Sequence, residues 1–505
     1  MTSQLKMRIF EICSYVLISL TGIIAFTGCD DDDDDTIFDS GTTPEDAGTT
    51  PSDAGTTPDD AGTTPGDAST GPWAPERPIV FVHGGSGSAH QFESNAQRFM
   101  INGYPLEYLA VYEHATGTEA PQPADQLDGL DAVIDAVLAK TGKTQVDLLG
   151  HSRGTIVSTL YLRSSEARAA KVAHYVAFDG TGDVPDTTSS LGAAVVPTLC
   201  LWGDMAQYVE GDPTKSIEGA EHIMDTTQTH IEMCTSAASF ARLFKFITGK
   251  DPETTEITPE SGTEVTIQGR AVYFPQNEVA PGTLEIYEVD SSTGFRIGTA
   301  PVYTTTTTGT DGSWGPYVVK RGGTYEFAFQ HEAGEKHYFY REAFNRSDYF
   351  VRLLTSKPGS GIGFLLTKSD NHTDILISRD KEFWGDQETQ NDVLIVDGQS
   401  VAIPPAAARA HRLSGLFLMD WGADKTVFPT TPDQATDLST PIKILHDQIF
   451  LSGLDLYMPG AATPDRTIEC SLTPRGGGGK KQIVNVPNWA STQARITVNF
   501  RDFAQ

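Results

Sequence analysis

Residues 146–155 read Val-Asp-Leu-Leu-Gly-His-Ser-Arg-Gly-Thr, and no other stretch narrows the possible folds so far. An apolar run ends in Gly150-His151-Ser152-Arg153-Gly154, a G-x-S-x-G pattern, and a helix-like stretch follows over residues 155–173. The glycines permit a sharp strand-to-helix turn that holds the serine hydroxyl clear of the backbone at the start of the helix. The pattern is common by chance. Here the strand before it, the helix after it and a His83-Gly84-Gly85 turn upstream supply the context it requires. Ser152 is the candidate nucleophile.

The surrounding sequence alternates in the same way. Residues 78–82 and 105–112 predict strands, 125–138 a helix by apolar spacing, and 146–149 the strand leading into the elbow. Strands over 174–178 and 196–202 and a helix over 236–248 follow. Such alternation predicts an α/β fold, a mostly parallel sheet with helices on both faces, whose active groups gather at the carboxyl ends of the strands. The backbone N–H groups of Gly85 and Arg153 are then the candidate oxyanion donors, while His83 reads as a histidine bracing the turn. The base should follow the acid in chain order and precede the last helix, which selects His230 over His222. The acid is either Asp179 or Asp204, each at the end of a predicted strand. The loop after the second commonly carries its aspartate about three residues beyond the glycine, where this chain has Ala206, and spacing does not choose.

Residues 78–112, PIVFVHGGSGSAHQFESNAQRFMINGYPLEYLAVY, resemble the opening of an archaeal lipase family with a C-terminal β domain. The likeness continues through VDLLGHSRGT, RAAKVAHYVAFDG and THIEMCTSAASFARLFKFITGKDP. It implies an α/β-hydrolase whose acid is the aspartate of the Asp179-Gly180 pair and whose base is the histidine of Thr229-His230. The implied triad is Ser152, Asp179 and His230, with Asp204 as the alternative acid. Two departures stand out. The family's long helical lid has no room between residues 113 and 145, so a more open pocket is expected, suited to soluble or short to medium esters. Arg153 also replaces the usual apolar residue after the nucleophile. Its charge either acts on the acyl pocket or faces solvent.

Beyond residue 255 threonine, glycine, valine and aromatics dominate, as in Glu264-Val-Thr-Ile-Gln-Gly-Arg-Ala-Val-Tyr-Phe. Short alternating runs between turn signals predict an all-β region of one or two sandwiches or barrels, with residues 304–308 and 476–479 as loops. Phrases such as GLFLMDWGADKT and NVPNWASTQARITVNF are similar, more loosely, to the same family's C-terminal domain. That resemblance implies a role in holding lipid substrate near the active site. A packing or spacer role is the alternative.

The amino-terminal part addresses location. Lys6 and Arg8 precede an apolar run from Ile12 to Phe26 that closes on Phe26-Thr27-Gly28-Cys29, too short for a confident membrane span. It resembles the lipobox of bacterial lipoproteins, which implies lipidation of Cys29. Plain secretion is the alternative. An acidic run, Asp30 to Asp35, and four copies of a Thr-Thr-Pro-x-Asp-Ala unit follow. With proline in every unit and almost nothing apolar, this stretch cannot form a core. At ~3.1 Å per residue its forty or so residues could hold a globular part up to ~120 Å from a membrane.

The domain layout expected is therefore 1–28 signal peptide, 29–72 tether, 73–252 catalytic domain and 253–505 β region. With 67 acidic against 36 basic residues, a net charge of −31, nucleic acid and anionic membrane surfaces are poor partners. With Cys13 lost with the signal and Cys29 lipidated, three cysteines remain, Cys200, Cys234 and Cys470, which allow at most one bridge. No zinc-type Cys/His cluster is present, and no cofactor is implied. The expected activity is a serine carboxylic ester hydrolase, an esterase, a lipase or a polyester depolymerase, anchored by lipid in a bacterial cell envelope and facing outward. The rival expectation is a non-catalytic surface-binding lipoprotein with an inert hydrolase fold. Oligomeric state is not legible. The anchor is testable: in a bacterial host the full chain should incorporate radiolabelled palmitate, and Cys29→Ser should abolish the label and release the protein from the membrane fraction.

Overall fold

A computed structural model describes residues 75–503 apart from 118, 181–195, 204–216 and 218. The signal, the tether, Cys29 and Asp204 lie outside the described residues. Among those described, no helix is long and apolar enough to cross a membrane.

The catalytic half is built on six parallel strands: β1 Ile79–Val82, β2 Leu109–Tyr112, β3 Val146–His151, β4 Val172–Phe178, β5 Thr198–Trp202 and β6 Glu221–Met224. Their order in the sheet is β2-β1-β3-β4-β5-β6. The chain therefore turns back between β1 and β3, a switch point at whose carboxyl side a crevice opens. Helices α1 Glu93–Ile101, α2 Leu127–Thr141, α3 Arg153–Ser164 and α4 Ala237–Thr248 cover the two faces. Alternation along each strand separates two cores. Val80, Val82, Leu148, Tyr175 and Cys200 pack with Ile134 of α2 and Val157 and Leu162 of α3. Ile79, Phe81, Leu149, Val176 and Leu199 pack with Phe92, with Phe99 of α1, and with Phe240 and Leu243 of α4. The last helix begins where its sequence dictates, because the Ser236 hydroxyl accepts the Ser239 N–H at 3.0 Å.

Several local expectations shift. The helix after the elbow stops at Ser164, because Ser165 is extended and its side chain accepts from the Arg168 N–H, starting a separate turn, Glu166–Ala169. Leu106–Tyr108 form a 3₁₀ turn, so the predicted second strand is shorter. Residues 304–306 belong to a strand, Tyr303–Thr306, where β-branched threonines suit an edge position, and are not a loop. Cys200, Cys234 and Cys470 are all buried and unpaired, so the bridge the count allowed does not form. Burial pushes the Cys200 thiol up to about 12, which keeps it protonated and inert.

The β region shares one long sheet. Its order is Tyr303–Thr306, Gly282–Val289, Thr324–His331, Lys336–Arg341, Arg495–Asn499, Ile375–Ser378, Gly415–Met419 and Leu451–Asp455. A small sheet containing Ser313–Lys320, Glu264–Tyr273 and Asp348–Thr355 packs on one face through Ile267, Trp314, Phe327, Phe329 and Leu353. A second, with Val393–Val396, Thr467–Thr473 and Gln482–Pro487, packs on the other through Leu394, Ile468, Leu472, Tyr338 and Val498. Two sandwiches thus share a central layer.

Between the halves lies α1, with Glu93, Ser94, Asn95, Gln97 and Arg98 all buried. Arg341 of the β region holds both Glu93 oxygens, at 2.8 and 2.6 Å. His90, just before α1, meets Asp380 at 2.6 Å and Glu93 at 3.4 Å. Burial opposes charge on its imidazole, but the two carboxylates outweigh burial and raise its pKa to about 10. The folded value lies above the unfolded one, so this contribution is full below about pH 6.5 and fades as pH rises through about 10. His90→Gln should cost about 3 kcal/mol in denaturant unfolding near pH 6, and the deficit should shrink toward zero above about pH 10.

Candidate active site

The strand registers bring the motifs to one level. Val82 pairs with Gly150, His151 with Phe178 and Phe178 with Leu201, so the residues following β1, β3, β4 and β5 emerge together. At the end of β3 the elbow forms as predicted. Ser152 has φ 50 and ψ −120, a sparsely populated conformation for a residue with a side chain, and α3 starts at Arg153. The turn demands a close backbone approach at Gly154, where a Cβ would stand 2.2 Å from the Val82 carbonyl oxygen and 2.6 Å from that of His83.

Asp179 also has positive φ, 41, at the end of β4. Its carboxylate is fully engaged: Oδ1 accepts the Gly203 N–H at 2.9 Å, and Oδ2 lies 2.6 Å from His230 Nδ1. The next residue must be glycine, since a Cβ on Gly180 would fall 2.0 Å from Thr155 Oγ1. His230 lies on the segment between β6 and α4, and both it and Asp179 are buried. The competing histidine is placed otherwise: His222 sits on β6 and accepts the Trp202 indole N–H at 3.2 Å. The structure thus brings Asp179 and His230 together, and does not bring His222 to Asp179.

Gln91 and His151 support this arrangement, and sequence reasoning assigned neither a role. The Gln91 amide oxygen accepts the Gly84 N–H at 3.2 Å, and its nitrogen donates to His151 Nδ1. That leaves Nε2–H of His151 to donate to the His230 carbonyl at 3.0 Å. Burial, then the neighbouring His230, holds the His151 pKa well below the ordinary range, so this neutral tautomer persists. His151 thereby ties the elbow to the histidine loop.

The oxyanion candidates are neighbours. A Cβ on Gly85 would stand 3.9 Å from Arg153 Cβ, which puts the His-Gly-Gly turn beside the first residue of α3. His83 braces that turn: its Nδ1–H donates to the Gly84 carbonyl at 2.9 Å, and its Nε2 accepts from Asn277 Nδ2 at 3.2 Å. Burial lowers its pKa, and its ring stacks on His114 at 4.1 Å. Asn277 comes from the β region. Arg153 is only partly exposed, and its Nη2 donates to the Pro121 carbonyl at 2.8 Å. Its charge is thus drawn onto the segment between β2 and α2.

Comparisons with known proteins bear on the fold class. Residues 76–170 match the class 2 lipase family model, 263–358 the lipase C-terminal domain model, and 361–504 a further C-terminal domain model. The chain is a lipase-like α/β-hydrolase carrying a C-terminal region rich in antiparallel strands. No curated protein matches it. Among solved structures, a Bacillus licheniformis lipase is 15% identical with a TM-score of 0.27, the match covering 37% of this chain and 96% of that one. A naproxen esterase of Bacillus subtilis is 13% identical with a TM-score of 0.26, over 35% and 85% respectively. A Listeria innocua gene product is 14% identical with a TM-score of 0.28, over 36% and 97%.

Because the elbow leaves no volume at Gly154, Gly154→Ala should destabilise the protein by about 2 kcal/mol or more in denaturant unfolding. A conservative change on the exposed face of α2, Lys140→Ala, should shift stability by less than about 0.5 kcal/mol.

Proposed function

We propose that this protein is a serine carboxylic ester hydrolase of the esterase or lipase type, acting through Ser152, His230 and Asp179. The observation that carries the reading is the 2.6 Å contact between His230 Nδ1 and Asp179 Oδ2, at the strand ends where the strained Ser152 elbow also lies. In this reading Nε2 of His230 takes the Ser152 proton as Oγ attacks the ester carbonyl. Asp179 holds the imidazole in the tautomer that leaves Nε2 free to accept, and stabilises the imidazolium that forms. The N–H groups of Gly85 and Arg153 receive the oxyanion. His230 then protonates the leaving alcohol, and water, deprotonated by the same nitrogen, releases the acid from Ser152.

The short segment between β2 and α2 favours soluble or short to medium acyl esters over strict interfacial activation. The amino-terminal sequence supports action outside the cytoplasm, with the tether carrying the enzyme away from a lipid-anchored Cys29. Hydrolysis of p-nitrophenyl esters from acetate to palmitate tests the reading. Activity should peak at short to medium chains. Ser152→Ala should lower kcat by about 10⁶-fold, and Asp179→Asn by about 10⁴-fold. Absence of hydrolysis on every ester, together with no fluorophosphonate labelling of Ser152, would leave the non-catalytic binding reading instead.

A further inference from the structure

His230 sits on an irregular segment, and much of what grips that segment comes from the β region. Glu382 is fully buried. Its Oε1 accepts the backbone N–H of Ile231 at 2.9 Å, and its Oε2 accepts the hydroxyl of Thr229. One carboxylate therefore holds the residues immediately before and after the histidine. Glu382 is itself fixed, since its carbonyl oxygen accepts from Arg379 Nη2 at 3.0 Å and from Arg475. Arg379 and Arg475 are in turn paired with Asp392 at 2.7 and 2.6 Å.

The next turn of the segment is gripped as well. Lys381 Nζ lies 2.7 Å from Glu232 Oε1 and Arg475 Nη2 3.0 Å from Glu232 Oε2. Burial opposes ionisation of Glu232, but these two cations prevail and hold its pKa down at about 2. The Phe450 ring lies parallel to that of His230, with centroids 6.2 Å apart and an interplanar angle of 9°. A histidine that must present one nitrogen to a serine and the other to an aspartate tolerates little drift, and no regular helix or strand of the catalytic half carries it.

We infer that Glu382 of the β region is a positioning residue for the reaction, clamping Thr229 and Ile231 so that His230 stays aligned between Asp179 and Ser152. The inference rests on the functional reading above and assigns the β region a part in the chemical step, beyond packing or holding substrate. A buried carboxylate that served only to pack the halves together would, when lost, lower stability without singling out turnover. A clamp on the base affects kcat first, because a displacement of about 1 Å from productive geometry can cost about 100-fold in rate.

The test uses the full chain with p-nitrophenyl butyrate. Glu382→Ala should lower kcat by about 10- to 100-fold with KM within about twofold of the unsubstituted protein. Glu382→Gln keeps an acceptor for the Ile231 N–H, and its kcat should fall between the two. Should Glu382→Ala fail to fold, Thr229 decides. Thr229→Val keeps the volume and loses the hydroxyl, whereas Thr229→Ser keeps the hydroxyl and loses a methyl. A clamp requires the larger kcat loss in valine, and a packing role requires it in serine. A folded Glu382→Ala with unchanged kcat, or a larger loss in Thr229→Ser, overturns the inference alone. An unsubstituted protein without Ser152-dependent hydrolysis overturns the functional reading and the inference together.

Discussion

The whole site depends on the register of one parallel ladder. Because β1, β3, β4 and β5 run in the same direction and end at the same level, the residues that follow them leave the sheet side by side. The Ser152 turn, Asp179 and the His83-Gly84-Gly85 turn are thus neighbours. The crossing from β2 back over β1 to β3 opens the crevice in which they sit. The backbone strain falls on Ser152 and Asp179 at the ends of β3 and β4, each followed within two positions by a glycine that admits the neighbouring backbone or side chain.

A second constraint is the polar seam. Charges withdrawn from water are costly unless each is paired, and a partly paired group costs more than an apolar one. Here Glu93, Arg341, His90 and Asp380 form one group, and Glu232, Lys381, Arg475, Asp392 and Arg379 another. Such contacts fix the relative placement of the halves more narrowly than an oily surface would, since a small slip leaves several buried charges unpaired. The second group lies against the histidine segment, and the Asn277 contact to His83 reaches the opposite, oxyanion side.

What the sequence disclosed followed from contacts between near neighbours. The elbow, the helix beginning at Ser236 and the alternating strands are written in runs of about ten residues, and the triad candidates lie at the ends of those runs. The choice of Asp179 needed the family resemblance, because two strand-end aspartates look alike to any local rule. Helix α1 was illegible because its first six residues, Ala96 apart, are polar and mask the apolar ones at its end. The polar ones are buried by partners as distant as Arg341, 248 residues away, and Arg501, 408 residues away. Glu382 was hidden for the same reason, lying 151 residues from Ile231 in an unremarkable stretch. The strand Glu221–Met224 escaped notice because it is a short polar edge.

The long sheet of the β region has a consequence for how the molecule comes into being. Its fifth strand in order, Arg495–Asn499, comes from far along the chain yet lies in the middle, paired in parallel with Lys336–Arg341 on one side and Ile375–Ser378 on the other. Until that strand arrives, both neighbours present open edges, and pairings across such sequence distances form slowly. A nascent catalytic half can complete its own sheet while the grip on its histidine segment is still unmade. Maturation of the site therefore waits on strands far along the chain, and a chain severed before residue 375 would lack the Glu382 contacts to Thr229 and Ile231.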